Sequence, residues 1–327
     1  MPDKILILGG SGFLSGTLAR TALAQGSETW VLTRGRRPLP DGVHPIVADR
    51  KDPDAIARSI ANATTQWDLV VDCIGYQPTD AVQDLTLFRE RTPHLVFVST
   101  DFVFDPAQRQ FPQAEESDHY AQSGYGGDKR RCELELLNGD AGAMAWTIVR
   151  PCHIYGPGSL LGCLPAHGRD RDLPDRLRRG EALNLVGGGY FLQQPIFAAD
   201  LCRLLLSLHG NPQTYNQIFC AAGPEIVESR TYYSIIAEVL GVDLEIEESP
   251  VDAYLGDNPQ TAPFLAHRIY DLSKLESSGA HLPNTSLEEG LRQHLSSLIA
   301  SFFNSARTLI GPGAQPAQPL VGTPSIT

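Results

Sequence analysis

Short apolar segments alternate with amphipathic segments through the first half of this 327-residue chain. The apolar segments are too short for helices and are rich in Ile, Val and Leu, so they predict β-strands. They cover residues 5–8, 29–32, 45–47, 69–74, 95–99 and 147–149. Strands separated by helices indicate βαβ crossovers, and near-continuous apolar strands indicate a sheet covered on both faces. The pattern predicts an α/β fold with a doubly wound parallel sheet, which binds ligands at its carboxyl edge.

The composition of the chain changes after residue 155. Loops rich in Gly, Pro and Arg then alternate with shorter helices, predicted at 199–208, 232–240 and 287–302. We predict a dinucleotide-binding core at 1–155 and mainly a substrate-binding region at 156–310, with elements that return to the core. Residues 311–327 carry three Gly and four Pro without an apolar period, which predicts a disordered tail.

The charge balance is acidic, with 38 Asp and Glu against 26 Lys and Arg and a net charge of −12. Such a surface disfavours nucleic acid and anionic membranes as partners. No apolar run approaches the roughly 18 residues of a membrane-spanning helix. Six scattered cysteines without a Cys-x-x-Cys pair predict reduced thiols in the cytoplasm. No cluster of histidines or cysteines has metal-ligand spacing, so no metal site is predicted.

The first predicted strand runs directly into a glycine-rich turn that a helix follows. Gly9 permits the tight turn, Gly12 lets the main chain approach a pyrophosphate, and the helix directs its first N–H groups at the anion. Phe13 and Leu14 begin that helix and are expected to contact the cofactor. A plain structural turn is the alternative interpretation, but the position directly after a strand favours a dinucleotide site.

The second predicted strand ends at Arg34, followed by Arg36 and Arg37. NAD-binding folds usually place an acidic residue here to bind the ribose 2′-hydroxyl, and this segment has none. Because an arginine pairs bidentately with a 2′-phosphate, NADP is the predicted cofactor and NAD the second choice. A solvated basic loop is the alternative interpretation.

Tyr125 and Lys129 lie one turn apart in a segment of helical pattern, so both side chains share one face. The ammonium of Lys129 is expected to favour the phenolate and to lower the pKa of Tyr125 towards an acid/base range. Most Tyr and Lys pairs at this spacing are surface accidents. The buried strand that ends before Thr100 adds a hydroxyl at the ligand-binding edge of the sheet.

Together the glycine turn, Thr100 and the Tyr125-x-x-x-Lys129 segment resemble the extended short-chain dehydrogenase/reductases, the NAD-dependent epimerase/dehydratase family, over about residues 4–302. The resemblance implies that Thr100 hydrogen-bonds the reacting oxygen, that Tyr125 exchanges the proton, and that Lys129 holds the cofactor ribose. It also implies cofactor contacts at two later strand ends, through Asp49, Arg50, Ile74 and Gly75.

Residues 99–105 are locally most similar to the dTDP-4-dehydrorhamnose reductases, which reduce a keto sugar carried on a nucleotide. The expected substrate contacts are Asp101, His153 and Arg268, with Arg268 as a clamp for a sugar-nucleotide phosphate. A structural role for His153 and a solvated Arg268 are the alternatives. Ser15 stands where the family usually has Gly, so the first helix is expected to lie slightly further from the first strand.

Three functions are compatible with these motifs. The first is an NADP-linked reductase or epimerase that transfers a hydride at a carbon of a nucleotide-linked sugar, with a homodimer as a candidate assembly. The second is a reductase of a non-sugar ketone or aldehyde in secondary metabolism. The third is a non-catalytic dinucleotide-binding protein with a regulatory or RNA-binding role, which the presence of Thr100, Tyr125 and Lys129 disfavours.

Overall fold

The computed structural model describes residues 2–63, 66–163 and 167–309. Seven strands form the central sheet: β1 (Lys4–Leu8), β2 (Glu28–Thr33), β3 (His44–Val47), β4 (Leu69–Asp72), β5 (His94–Val98), β6 (Ala145–Pro151) and β13 (Gln217–Ala221). They lie in the order β13-β6-β5-β4-β1-β2-β3, and every neighbouring pair is parallel. The predicted parallel α/β sheet is confirmed.

Helices cover both faces of this sheet. The helices that pack on it are α1 (Phe13–Ala24), α2 (Pro53–Asn62), α3 (Pro78–Phe88), α4 (Gly124–Asn138) and α6 (Ala198–Ser207). Within β1, Ile5 and Ile7 belong to the apolar cluster that contains residues of α1 and α6. Leu6 and Leu8 belong to a second cluster with residues of α2, α3 and α4. Successive strand residues thus face opposite helical layers, because side chains alternate along a strand.

In its described part, the second half of the chain adds four two-stranded sheets, which pair residues 183–186 with 246–249, 192–193 with 227–228, 196–197 with 154–155, and 161–163 with 167–170. Their strands are β7 (Ile154–Tyr155), β8 (Leu161–Cys163), β9 (His167–Asp170), β10 (Leu183–Val186), β11 (Leu192–Gln193), β12 (Ile196–Phe197), β14 (Val227–Glu228) and β15 (Ile246–Ser249). The remaining helices are α5 (Leu173–Arg178), α7 (Ser229–Leu240), α8 (Val251–Asp257), α9 (Ser273–Ser277) and α10 (Leu287–Leu309). A third apolar cluster, which includes Tyr155, Leu183 and Tyr232, packs this region. Short 3-10 turns occupy Asp101–Val103, Pro106–Gln108, Gly187–Gly189, Pro212–Thr214 and Pro259–Phe264.

Most predicted elements are present with shifted ends. Strand β4 ends at Asp72, two residues before the predicted end, because the Asp72 carboxylate accepts the N–H of Ile74 at 2.7 Å and turns the chain. The tail predicted at 311–327 lies outside the described residues. Among the described residues, no helix is long and apolar enough to cross a membrane.

Strand β1 lies between β4 and β2, so the chain leaves it in one direction towards β2 and β3 and returns on the other side through β4 to β6. The loops that follow β1 and β4 therefore diverge. Such a switch point leaves a crevice at the carboxyl ends of the strands, which is where open α/β sheets bind ligands.

Candidate functional site

A cleft of about 1180 Å³ lies at this switch point. Eight of the cofactor contacts predicted from the sequence line it: Gly9, Gly12, Phe13, Leu14, Arg34, Asp49, Arg50 and Ile74. Because α1 begins at Phe13, the first N–H groups of this helix have no partner inside the helix and are directed at the cleft. Loop, helix end and cleft thus form a suitable site for a pyrophosphate.

The glycine loop also depends on Gly10, which the sequence analysis did not single out. Its φ is +81°, and an added Cβ would lie 2.0 Å from Cγ1 of Val31 on β2. Only glycine lets the loop approach β2 this closely. The doubled glycine at 9 and 10 was the available signal.

Ser15 is accommodated within the same loop. Its side chain is buried, and its Oγ accepts the N–H of Gly12 at 3.2 Å. An added Cβ on Gly9 would lie 3.0 Å from Ser15 Oγ, so the serine packs directly against the turn. The hydroxyl therefore closes the loop onto the helix where the family usually has Gly.

Three arginines after β2 stand at the edge of the cleft. The side chains of Arg34, Arg36 and Arg37 line it and are exposed. None of the ion pairs formed between described residues includes them. Their charges are available to a ligand, as binding of a 2′-phosphate requires.

Arg50 also lines the cleft, and its guanidinium is paired with carboxylates of the protein. It is 8% exposed and donates to Asp72 at 2.8 Å and, over a shorter distance, to Asp84. Asp80 adds a third carboxylate at 3.4 Å. Burial raises the pKa of Asp84 well above its usual range, and the neighbouring Asp72 adds to that shift.

The loop after β4 connects this cluster to the predicted catalytic lysine. Ile74 lines the cleft, and the Gly75 carbonyl accepts a hydrogen bond from Lys129 Nζ at 2.6 Å. An added Cβ on Gly75 would lie 2.4 Å from Asp72 Oδ2 and 2.5 Å from a ring carbon of Phe97. Gly75 therefore has a packing role, and its carbonyl positions the ammonium.

Lys129 is almost completely buried, at 2% exposure. Its ammonium also donates to the Val98 carbonyl at 2.7 Å and lies 4.0 Å from the centroid of the Phe97 ring. Burial lowers its pKa, and the Asp72 charge partly opposes the shift. The ring of Tyr76, which lines the cleft, has its centroid 5.8 Å from Nζ, so the lysine lies next to the cleft.

Tyr125 and Thr100 face one another. Thr100 is buried and its Oγ1 accepts the N–H of Phe102 at 3.3 Å, whereas Tyr125 is half exposed. Burial raises the pKa of Tyr125 to about 12, Tyr76 adds to the shift, and a hydrogen bond with Thr100 opposes it. The expectation that Lys129 lowers the pKa of Tyr125 therefore does not hold in this structure.

A glycine lets the Tyr125 helix approach the loop that carries Thr100. An added Cβ on Gly126 would lie 2.0 Å from the carbonyl oxygen of Phe102. The segment Tyr125-Gly-Gly thus lets the two hydroxyl-bearing elements pack with their main chains in contact.

A buried ion pair that the sequence analysis missed supports the same elements. Glu133 accepts two hydrogen bonds from Arg150, at 2.9 and 2.7 Å, and one from Ser99 at 2.6 Å. Glu133 lies one turn beyond Lys129 on α4, and Ser99 precedes Thr100. The spacing Tyr125, Lys129, Glu133 was a usable signal, because it places all three on one helix face.

Two expected substrate contacts are paired with each other. Arg268 and Asp101 are 1% and 2% exposed and form an ion pair. The Tyr270 hydroxyl donates to the Asp101 carboxylate, and Arg109 donates to the Asp101 carbonyl at 2.7 Å. Arg268 is thus buried and paired, which contradicts the alternative of a solvated arginine and shows that a carboxylate of the protein occupies its guanidinium.

His153 lies directly before β7 and is half buried, with its ring edge-on to Tyr232 at 6.2 Å between centroids. Burial lowers its pKa to about 3, and Arg169 and Arg268 add to the shift, so the imidazole is neutral. Within the described ranges, no group of three or more His, Cys, Asp or Glu side chains is arranged to hold a metal ion.

A family model matches the middle of the chain. The model of the NAD dependent epimerase/dehydratase family matches residues 80–220, a segment that holds Thr100, Tyr125 and Lys129. The match confirms the resemblance predicted from the sequence.

Two curated relatives are distant. The chloroplast stem-loop binding protein of 41 kDa b of Arabidopsis thaliana is 25% identical over 239 residues, which are 68% of this chain and 60% of that protein. The chain thus spans less than two thirds of the length of this relative. The 2-alkyl-3-oxoalkanoate reductase of Stenotrophomonas maltophilia is 24% identical over 89% of this chain and 98% of its own length.

Solved structures share the fold. The UDP-glucose 4-epimerase of Thermotoga maritima, solved with UDP-glucose, superposes with a TM-score of 0.73 at 20% identity, over 91% of this chain and 99% of the other. The UDP-glucose 4-epimerase of Thermus thermophilus, solved with NAD, has a TM-score of 0.69 at 18% identity and the same coverage.

Proposed function

We propose that this protein is an NADP-linked oxidoreductase that acts at a carbonyl or carbinol carbon. The observation that carries the proposal is the placement of Thr100, Tyr125 and Lys129 beside a cleft that also contains a glycine loop. Tyr125 and Thr100, from elements more than 20 residues apart in sequence, share a hydrogen bond, and Lys129 lies one helical turn beyond Tyr125.

The residues of the cleft fit a nicotinamide dinucleotide. The loop at Gly9, Gly10 and Gly12 would hold the pyrophosphate against the start of α1, and Asp49, which lines the cleft, would lie at the adenosine end. Arg34, supported by Arg36 and Arg37, would bind a 2′-phosphate. When bound, the nicotinamide supplies or accepts a hydride.

Tyr125, Thr100 and Lys129 have separate roles in the proposed reaction. In the reducing direction the Tyr125 hydroxyl donates the proton to the substrate oxygen, and in the oxidising direction the phenolate accepts it. Thr100 donates a hydrogen bond to the same oxygen and stabilises the charge that develops on it. Lys129 uses two of its three N–H donors on the Gly75 and Val98 carbonyls, and the third would bind the cofactor ribose.

Two substrate classes are candidates. The structural neighbours that carry UDP-glucose favour a nucleotide-linked sugar. The 2-alkyl-3-oxoalkanoate reductase, which aligns over most of both chains, favours a non-sugar ketone. Either class presents a carbonyl to the same Tyr125 hydroxyl.

NADPH oxidation with a panel of keto sugars and simple ketones tests the proposal. Wild-type protein should oxidise NADPH with one of them, and Tyr125→Phe should reduce turnover by about 10² to 10⁴ while NADPH binding stays within about twofold. Tyr254→Phe on α8 is the matched control and should leave turnover unchanged.

The cofactor that the purified wild-type protein retains distinguishes reduction from epimerisation. If mass spectrometry detects NAD retained in the purified protein, the reaction is an epimerisation. If the protein is purified without cofactor and requires added NADPH, the reaction is a reduction. If NADPH binds and no carbonyl is turned over in a Tyr125-dependent way, the proposal fails and a non-catalytic dinucleotide-binding role replaces it.

A further inference from the structure

Close to Tyr125, two arginines surround an aspartate. The ion pair Asp101–Arg268 and the rings of Phe102 and Phe264 are here called the wall beside Tyr125. The Asp101 carboxylate accepts hydrogen bonds from Arg268, from the Tyr270 hydroxyl at 2.5 Å and from Arg109 at 3.4 Å. Arg109 also donates to the Tyr270 hydroxyl at 3.0 Å. The side chains of Arg268 and Asp101 are 1% and 3% exposed. The charge of Arg268 is therefore already neutralised by a carboxylate of the protein.

Phe102 contacts both this ion pair and Tyr125. The guanidinium carbon of Arg268 lies 4.3 Å from the centroid of the Phe102 ring. The centroid of the Tyr125 ring is 6.3 Å from that of Phe102, and the centroid of Phe264 is 5.6 Å away, both in edge-to-face arrangements. The ring of Phe102 thus lies between Tyr125 and the guanidinium of Arg268, and Phe264 packs against Phe102.

A buried, paired guanidinium is a poor ligand for phosphate. Arg268 would bind an incoming diphosphate only by giving up Asp101, which would leave that carboxylate buried with a weaker partner. The diphosphate would also lie near the negative charge of Asp101. A neutral apolar group meets neither obstacle, because it packs on the edges of aromatic rings.

We propose that Asp101 masks Arg268, and that the masked pair with the rings of Phe102 and Phe264 makes this wall select ketones with a neutral, apolar substituent over ketones that carry a diphosphate. The inference rests on the proposed function, because it names the substrate class of the same site. Asp101 acts here as a specificity-determining residue and takes no part in the proton transfer.

Binding to protein saturated with NADP⁺ tests the proposal without turnover. The bound dinucleotide keeps other phosphates out of the cofactor cleft, so calorimetric titration reports the substrate side. The two probes are UDP and the neutral aryl ketone 1-phenylpropan-2-one. Wild-type protein should bind the ketone at least about tenfold more tightly than UDP.

Removal of the masking carboxylate should reduce or remove this preference. Asp101→Asn should bind UDP about tenfold or more tightly than wild type, because the Arg268 charge becomes available for a charge-assisted contact. The double variant Asp101→Asn with Arg268→Met should lose that gain. Asp118→Asn makes the same charge change at an exposed position and should leave UDP binding unaltered.

Several results would overturn the inference. Wild-type protein that binds UDP more tightly than the ketone and loses it in Arg268→Met would show that Arg268 binds phosphate despite Asp101. Wild-type protein that binds neither probe, or unchanged UDP binding in a folded Asp101→Asn, would contradict it as well. If Asp101→Asn does not fold, two other measurements test the inference: the wild-type affinities for the two probes, and the affinities of Phe102→Leu. Phe102→Leu should bind the ketone several-fold more weakly than wild type and should bind UDP equally well.

The outcome is separable from that of the proposed function. The proposed function fails when no NADPH oxidation depends on Tyr125, which is a turnover measurement. The masking of Arg268 is read from equilibrium binding to the NADP⁺ complex, in which no reaction occurs.

Discussion

Strands β2 and β3 are neighbours in the sheet, and the segment after each of them brings an arginine to the same cleft. The two arginines differ in exposure and in ion pairing. Arg34 follows β2, is exposed, and has no ion pair with any described residue. Arg50 follows β3, is 8% exposed, and contacts Asp72 and Asp84. An arginine at a strand end is available to a ligand only where the fold leaves it without a carboxylate. Arg268 resembles Arg50 in this respect, because it is buried and paired with an aspartate.

The largest effect that this contrast predicts is on stability. Arg50→Met would leave the buried carboxylates of Asp72 and Asp84 without their cation, and removal of one partner of a buried ion pair costs about 3 to 5 kcal/mol. Urea unfolding should show a loss of that size. Arg34→Ala is the control, with a change within about 0.5 kcal/mol, as for surface substitutions in general. Equal losses in the two variants would refute the contrast.

A second prediction concerns the catalytic end of the cleft. Thr100→Val keeps the shape of the side chain without the hydroxyl and should lower kcat by about 10² to 10³. Thr100→Ser retains the donor and should keep much of the activity. Steady-state kinetics with NADPH and an accepted ketone measures both variants. Similar activity in the two would mean that Thr100 has only a structural role.

A smaller effect is expected on cofactor choice. Arg34→Ala should weaken NADPH binding about tenfold or more, because a charge-assisted bidentate contact contributes about 1.5 to 3 kcal/mol. NADH binding should stay nearly unchanged. Fluorescence titration with both cofactors gives the comparison. A wild-type preference for NADH, or an equal loss for both cofactors, would show that the exposed arginines do not bind a 2′-phosphate.

The smallest expected effect is that of pH on reduction. With the pKa of Tyr125 raised to about 12, its hydroxyl stays protonated and can donate a proton across the usual assay range. The kcat/KM for the ketone at saturating NADPH should therefore be flat from about pH 7 to about pH 10. A fall with a midpoint between about pH 7 and pH 9 would indicate that Lys129 lowers this pKa after all.

The features that could be predicted from the sequence are local ones. The alternation of strands and helices is a short-range pattern, and it was sufficient for the parallel sheet. Gly9 and Gly12 lie within one turn, and Tyr125 and Lys129 lie one helical turn apart, so their proximity follows from secondary structure alone. The family match covers residues 80–220, which include Tyr125 and Lys129 but not the glycine turn.

The pairing of the buried arginines, which sequence reasoning missed, depends on contacts between distant segments. The partner of Asp101 is Arg268, 167 positions further along the chain, and the partner of Arg50 is Asp84, 34 positions away. No local pattern reports whether such a partner exists. The upward shift in the pKa of Tyr125 has the same origin, because burial depends on the whole fold and outweighs the one-turn spacing to Lys129.

Isotope transfer from NADPH that carries deuterium at both C4 positions tests the central claim most directly. Mass spectrometry of the alcohol formed from an accepted ketone should show one deuterium on the carbinol carbon. Tyr125→Phe should abolish this transfer while it still binds the cofactor. Bound NADPH without transfer to any ketone or keto sugar, or equal transfer in wild type and Tyr125→Phe, would contradict the assignment of Tyr125 and of the cleft.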